Sequence, residues 1–195
     1  NSLPNGSIIL AAFHKTSKLS EQVVDAWSKI LRRSENSYLW LKKPTNSAKE
    51  NLLSFLNSRK IDNKRILFAE NVSSYEEHVS RYSSADIFLD TFNYNGHSTL
   101  VECIWSELPF ITLVGKSFSS RVGGSILHSL DLDELICKSH NEYIEKIVFY
   151  ASNKQHLEFL KNKINSQKRT AEFFNQKGFT KNIEEVYENI LRNHK

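Results

Sequence analysis

The chain is poor in the residues that announce a chemistry on their own. Among 195 residues there are two cysteines, three prolines, six glycines and no methionine. Cys103 and Cys137 lie far apart inside apolar segments, so no disulfide framework exists. Two buried thiols in a reducing, cytoplasmic setting are expected instead. No G-x-G-x-x-G follows the first apolar run, which removes the main support for a dinucleotide fold. Walker loops, zinc spacings and G-x-S-x-G elbows are missing too, so no metal site is expected. No apolar run reaches the roughly 20 residues of a membrane helix, and no signal peptide opens the chain, so no membrane partner is expected. The missing initiator fits either processing or a domain cut from a longer protein. Charge of one sign is also lacking: 26 basic against 22 acidic residues leave +4, dispersed. That favours an anionic ligand slightly and gives nucleic-acid binding little support.

What is present is an alternation of short apolar runs with amphipathic stretches. Ser7 to Phe13, Ser37 to Leu41, Arg65 to Phe68, Ile87 to Leu89 and Phe110 to Leu113 read as buried strands, with Glu134 to Cys137 a sixth. Between them, helices are predicted from Ser20 to about Arg33, Ala48 to Ser58, Tyr75 to Ser83, Ser98 to Trp105, and a short one ending near Leu130. Ser20 caps the first. Ser73 or Ser74 with Glu76 or Glu77 resembles a capping box. From about residue 141 the pattern is helical: Tyr143 to Ala151, Gln155 to Gln167 and Thr180 to Arg192, with Gly178 as a break. Strands alternating with helices predict one α/β domain over 1–195, a Rossmann-like doubly wound parallel sheet with extra C-terminal helices.

The organising stretch is Ala85 to Thr112. A strand ends at Asp90, a loop with Asn93, Asn95 and Gly96 follows, and Ser98 and Thr99 open a helix. Leu100, Val101, Cys103, Ile104 and Trp105 are expected to pack that helix on the sheet. Such a loop lies at the carboxyl edge of the sheet, where open α/β folds bind ligands. Free amides and the helix dipole suit a phosphate. Lys15 and Lys18 follow the first strand at the same edge. In a doubly wound order the first and fourth strands are neighbours, so the two loops converge on what suits a diphosphate. A lysine pair alone reads as solvated surface; the convergence favours the site.

Other residues keep two readings. Thr99-Leu100-Val101-Glu102 matches a capping box, with Glu102 folding back on the helix start; Glu102 equally suits ribose hydroxyls. His78 and Arg81 share a helical face, either solvent-facing or stacking on a base. His97 fits a cap or a phosphate contact. Asp90 resembles a phospho-accepting aspartate, but His14, Lys15 and Lys18 stand where such a site needs acidic residues for magnesium.

The segment from Glu76 to Leu127, with Phe174 to Tyr187, resembles the carboxyl-terminal half of the SPINDLY-type protein O-GlcNAc transferases, a GT-B glycosyltransferase family. The resemblance rests on E-E-H at Glu76, A-D at Ala85, L-D-T at Leu89, N-G-H-S-T at Asn95, W-x-x-x-P at Trp105 and S-R-V at Ser120. F-x-x-x-x-K ending at Lys18 and W-L at Trp40 also fit. It covers essentially the whole chain.

This resemblance implies an inverting, metal-independent transferase moving GlcNAc from UDP-GlcNAc to protein Ser or Thr, with no cofactor. It implies Lys18 as the catalytic group on the donor diphosphate. Ser98 and Thr99 would bind phosphate and Glu102 the ribose, while Val72 to Tyr75, His78 and Arg81 would frame the uracil. Lys15 and His97 complete the expected binding set. Lys15 replaces a glutamine of the family, Tyr75 a lysine, Ser98 a threonine and Glu102 an aspartate. The partners implied are a UDP-sugar, a protein acceptor and the family's amino-terminal catalytic lobe. That lobe and the tetratricopeptide repeats are expected to be absent from this chain. Another UDP-sugar or acceptor, or a non-catalytic Rossmann-like interaction module, are the alternative readings.

Overall fold

A computed structural model describes residues 3–193. Six strands form one parallel sheet: β1 (Ile8–Ala12), β2 (Ser37–Lys42), β3 (Ile66–Ala69), β4 (Ile87–Leu89), β5 (Phe110–Leu113) and β6 (Ile136–Cys137). Their spatial order is β3-β2-β1-β4-β5-β6. The order reverses between β1 and β4, which pair directly through Leu10 with Ile87 and Ala11 with Phe88. The loops after these two strands therefore open side by side, as the doubly wound reading requires.

Continuous apolar strands need cover on both faces. It comes from α1 (Glu21–Arg33), α2 (Asn46–Ser58), α3 (Tyr75–Ser80), α4 (Ser98–Trp105), α5 (Val122–His128), α6 (His140–Ser152) and α7 (Lys154–Thr170). Ser20 accepts from the Val23 amide and starts α1. Trp27 of α1 is fully buried, and its indole N–H donates to the Tyr143 hydroxyl of α6 at 3.3 Å. The Tyr143 hydroxyl in turn donates to the carbonyl of Asp90 at 3.0 Å. One layer is thereby tied to the tip of β4. Cys103 and Cys137 are buried and unpaired, as expected.

The helical stretch from about residue 141 behaves in two ways. Helix α6 buries Tyr143, Ile144 and Ile147, and α7 buries Leu157, Leu160 and Ile164. The last helix, α8 (Gln176–Asn193), buries none of its residues. Phe179, Val186, Tyr187 and Leu191 on it are each more than half exposed.

Three local expectations are corrected, and a choice between two capping serines is settled. Gly178 does not break the last helix: it sits in the first turn of α8, where the Asn175 side chain accepts its amide at 3.1 Å. A glycine there costs little because the helix has only begun. Trp105 ends α4 and turns away from the sheet, 61% exposed, with its ring 5.8 Å from that of Phe174. The third helix stops at Ser80 and tightens into a 3-10 turn over Arg81–Ser84, so His78 and Arg81 do not share one straight α-helix. At its start Ser74, not Ser73, is the cap, accepting from the Glu77 amide.

Candidate functional site

The loop between β4 and α4 is built around Asp90, which is fully buried. One carboxylate oxygen accepts the amides of Thr91 at 2.9 Å and Gly96 at 2.7 Å. The other accepts the Thr112 hydroxyl of β5 at 2.7 Å. The chain from Thr91 to Gly96 is thus folded back on the strand that launched it. Asn95, also buried, locks the other side. Its side-chain N–H donates to the Thr91 carbonyl, its side-chain oxygen accepts the Gly123 amide, and its own amide donates to the Ser119 carbonyl. At Gly123 a β-carbon would sit 2.5 Å from the Thr112 hydroxyl and 2.9 Å from Asp90, so only glycine fits beside this carboxylate.

His14, one residue past the apolar run of β1, is buried as well. Its Nε2 donates to the Leu89 carbonyl at 3.0 Å and lies 3.7 Å from Asp90. Burial lowers its pKa to about 4, with Lys18 adding to the fall. Burial likewise raises Asp90 to about 7 against the pull of its three hydrogen bonds and Lys18. Between about pH 4 and 6.5 the native chain therefore holds one proton fewer on His14 and one more on Asp90 than the unfolded chain. The two slopes cancel. Asp90→Asn removes one of them. Relative to the parent, the variant is expected to lose roughly 1 kcal/mol of stability per pH unit as pH falls from 6.5 towards 4. Urea midpoints at pH 4.5 and 6.5 check this; equal slopes for the two proteins refute it.

Lys18 closes a 3-10 turn, Thr16–Lys18, after β1. Its ammonium donates to the carbonyl of Asn95 at 2.9 Å and lies 4.0 Å from the centre of the Tyr94 ring. The two loops do converge. Partial burial lowers the Lys18 pKa, with Lys15 adding to the fall and Asp90 opposing it. Lys15 itself is exposed at the start of that turn. Helix α4 begins at Ser98, with His97 in the capping position but its side chain making no capping bond. The Ser98 and Thr99 amides donate to no group of the chain among the described residues. Ser98 is exposed and Thr99 half-buried, so the positive start of α4 is open to solvent, and Lys18 is bonded to the same loop at Asn95. Grooves elsewhere measure about 350 Å³ between α1 and α2 and about 470 Å³ beside Phe118 and Phe173. Neither is lined by Lys18, Ser98 or Thr99.

A second group gathers one turn further along α4. Glu102 does not fold back on the helix start, so the capping-box reading fails: with His97 as cap, Thr99 is already inside the helix. Glu102 instead accepts the Tyr82 hydroxyl at 2.8 Å and lies 3.4 Å from His78 Nε2. The Tyr75 ring, largely exposed, stands 6.5 Å from that of His78. Arg81 donates to the Glu70 carbonyl and packs over Phe13, 5.7 Å from its ring centre. Tyr75, His78, Arg81 and Glu102 thus border one face, and Lys18, His97, Ser98 and Thr99 the adjoining one. Tyr82 and Tyr94 escaped the sequence reading, which took Asn95 only as a turn residue opening the N-G-H-S-T motif. Asp90 carried a signal there, a lone carboxylate closing a buried apolar strand, but its three donors come from separate segments.

The family model described as glycosyl transferase family 41 matches residues 1–183. A UDP-N-acetylglucosamine--peptide N-acetylglucosaminyltransferase of Caenorhabditis elegans is 32% identical over 184 residues, 94% of this chain and 16% of that protein. A probable SPINDLY transferase of rice is 30% identical over 191 residues, 96% of this chain and 21% of its own length. The chain thus spans about a fifth or less of these curated relatives. Among solved structures, an O-GlcNAc transferase variant from Thermobaculum terrenum superposes with a TM-score of 0.90 at 24% identity, over 98% of this chain and 37% of that one. A pneumococcal O-GlcNAc transferase in complex with UDP and GlcNAc gives 0.62 at 16% identity, over 96% and 38%. The fold is that of a Rossmann-like lobe of GT-B glycosyltransferases.

Proposed function

We propose, from the premise that this chain belongs to glycosyl transferase family 41, that it is the donor-binding lobe of an inverting glycosyltransferase. The reaction would move GlcNAc from UDP-GlcNAc to a protein Ser or Thr hydroxyl. One observation carries the reading: the Lys18 ammonium reaches the carbonyl of Asn95, three residues before the free amides of Ser98 and Thr99. A cation and a helix start, brought together from two loops, are what a pyrophosphate needs.

In the transfer, the acceptor oxygen attacks the anomeric carbon opposite the phosphate. The bond from that carbon to the β-phosphate oxygen breaks, and UDP leaves with the electron pair. The hydroxyl proton passes to a base on the acceptor side. The lobe's share of this is the leaving group: Lys18 and the α4 amides meet the charge that grows on the departing oxygen. In this reading no metal or cofactor is invoked. Glu102, held by Tyr82 beside His78, presents a carboxylate to the ribose hydroxyls, and Tyr75, His78 and Arg81 border the base. The acceptor side is assigned to an amino-terminal lobe, in keeping with the greater length of the relatives.

Titration of the chain with UDP is expected to release heat with a Kd of about 0.1–1 mM, or roughly −4 to −5.5 kcal/mol, because one lobe supplies only part of the contacts. No heat at millimolar UDP refutes the proposal. Tyr75, exposed where the resemblance implies a lysine near the base, leaves donor identity open to a second reading in which the donor is another UDP-sugar. Competition between UDP-GlcNAc and UDP-glucose separates the two.

A further inference from the structure

We propose that Tyr94 is a positioning residue of this site, acting through Lys18 and His97; the proposal rests on the nucleotide reading above. Lysine is a poor fixed charge, because its four-carbon stem carries about 2 kcal/mol of rotamer entropy that must be lost on ordering. Among the described residues Lys18 is held at two points, the Asn95 carbonyl and the Tyr94 ring. The ring can do this because its own backbone is clamped. The Thr91 hydroxyl donates to the Tyr94 carbonyl at 2.7 Å, and the next residue is the buried, three-fold bonded Asn95.

The same ring organises the anion side. It stacks on the His97 imidazole, with centres 5.0 Å apart and planes 20° from parallel. The Phe118 ring meets His97 edge-on at 6.4 Å. His97 makes no capping bond, and its Nε2 is buried without a partner, so these aromatic contacts are what orient it. The Tyr94 hydroxyl makes no hydrogen bond to the chain among the described residues, and the side chain is 47% exposed. The π face, not the hydroxyl, does the positioning.

The test uses three versions of the chain, the parent, Tyr94→Phe and Tyr94→Leu, with two readouts by nuclear magnetic resonance: the shift of the Lys18 Cε protons, and UDP affinity by titration. In the parent and in Tyr94→Phe the Cε protons are expected upfield, under the ring current, with UDP affinities within twofold. Tyr94→Leu is expected to lose the upfield shift and to bind UDP roughly five- to thirtyfold more weakly. Unchanged affinity in Tyr94→Leu overturns the proposal. So does an affinity loss when the parent's Lys18 protons show no upfield shift, since the loss then has another route. A parent that binds no UDP overturns the nucleotide reading and this proposal with it. A parent that binds UDP while both variants match it overturns this proposal alone.

Discussion

Lys18→Ala is expected to weaken UDP binding by ten- to a hundredfold, taking it beyond the reach of calorimetry. A hydrogen bond to a charged group contributes about 1.5–3 kcal/mol, and each 1.4 kcal/mol is a factor of ten in affinity. Lys18 is the cation placed directly at the Asn95 carbonyl, next to the α4 start, so no neighbour replaces it. Lys15 is the control. It is exposed at the beginning of the turn, and screening leaves it a small share; Lys15→Ala is expected to change affinity less than threefold. The fold should tolerate both, because among the described residues Lys18 donates one side-chain hydrogen bond and is partly exposed. Titration followed by chemical shift measures all three proteins. Equal losses from the two alanines would mean a diffuse positive field and no defined diphosphate contact.

Asp90→Ala is the change expected to cost most stability. It strands the Thr91 amide, the Gly96 amide and the Thr112 hydroxyl in the interior at once. Each buried donor left without an acceptor costs about 1–3 kcal/mol, and some water entry into the vacated space softens the sum. A loss of about 3–5 kcal/mol is expected, lowering the thermal midpoint by roughly 10 °C for a chain of this size. UDP binding should disappear along with it, because the same three bonds fix the loop that precedes α4. Thermal unfolding followed by circular dichroism provides the number. A midpoint within about 2 °C of the parent would remove Asp90 from its organising place.

The contrast between these two residues explains what the sequence could reveal. Lys18 was legible because two local facts sufficed: a basic loop after one buried strand, and a glycine-bearing loop after another that a doubly wound order makes its neighbour. The strands were legible because burial on both faces writes itself as unbroken runs such as Ile-Phe-Leu. Asp90 was legible only as a carboxylate closing a buried strand, since the donors that fix its place come from residues 91, 96 and 112. Glu102 shows the same limit. Its spacing from Thr99 fits a local capping box, but the hydroxyl that claims it belongs to Tyr82, inside the polar-looking run Arg-Tyr-Ser-Ser. Trp105 followed the helical period yet ended outside the core, because α4 stops at that residue and its ring, 61% exposed, rests beside that of Phe174. Tyr94 sits in a loop with no period at all, so its stacking on His97 has no signature along the chain.

The phenol of Tyr143, set between the indole of Trp27 and the carbonyl of Asp90, also decides where the polypeptide can be trimmed. An excision that stops at residue 139 would keep every group expected to touch a nucleotide, yet it would strip the donor from the tip of β4 and the acceptor from a sealed indole. The smallest usable piece is therefore longer than the ligand-facing residues suggest, and its boundary is drawn by a side chain on the far layer of the sheet.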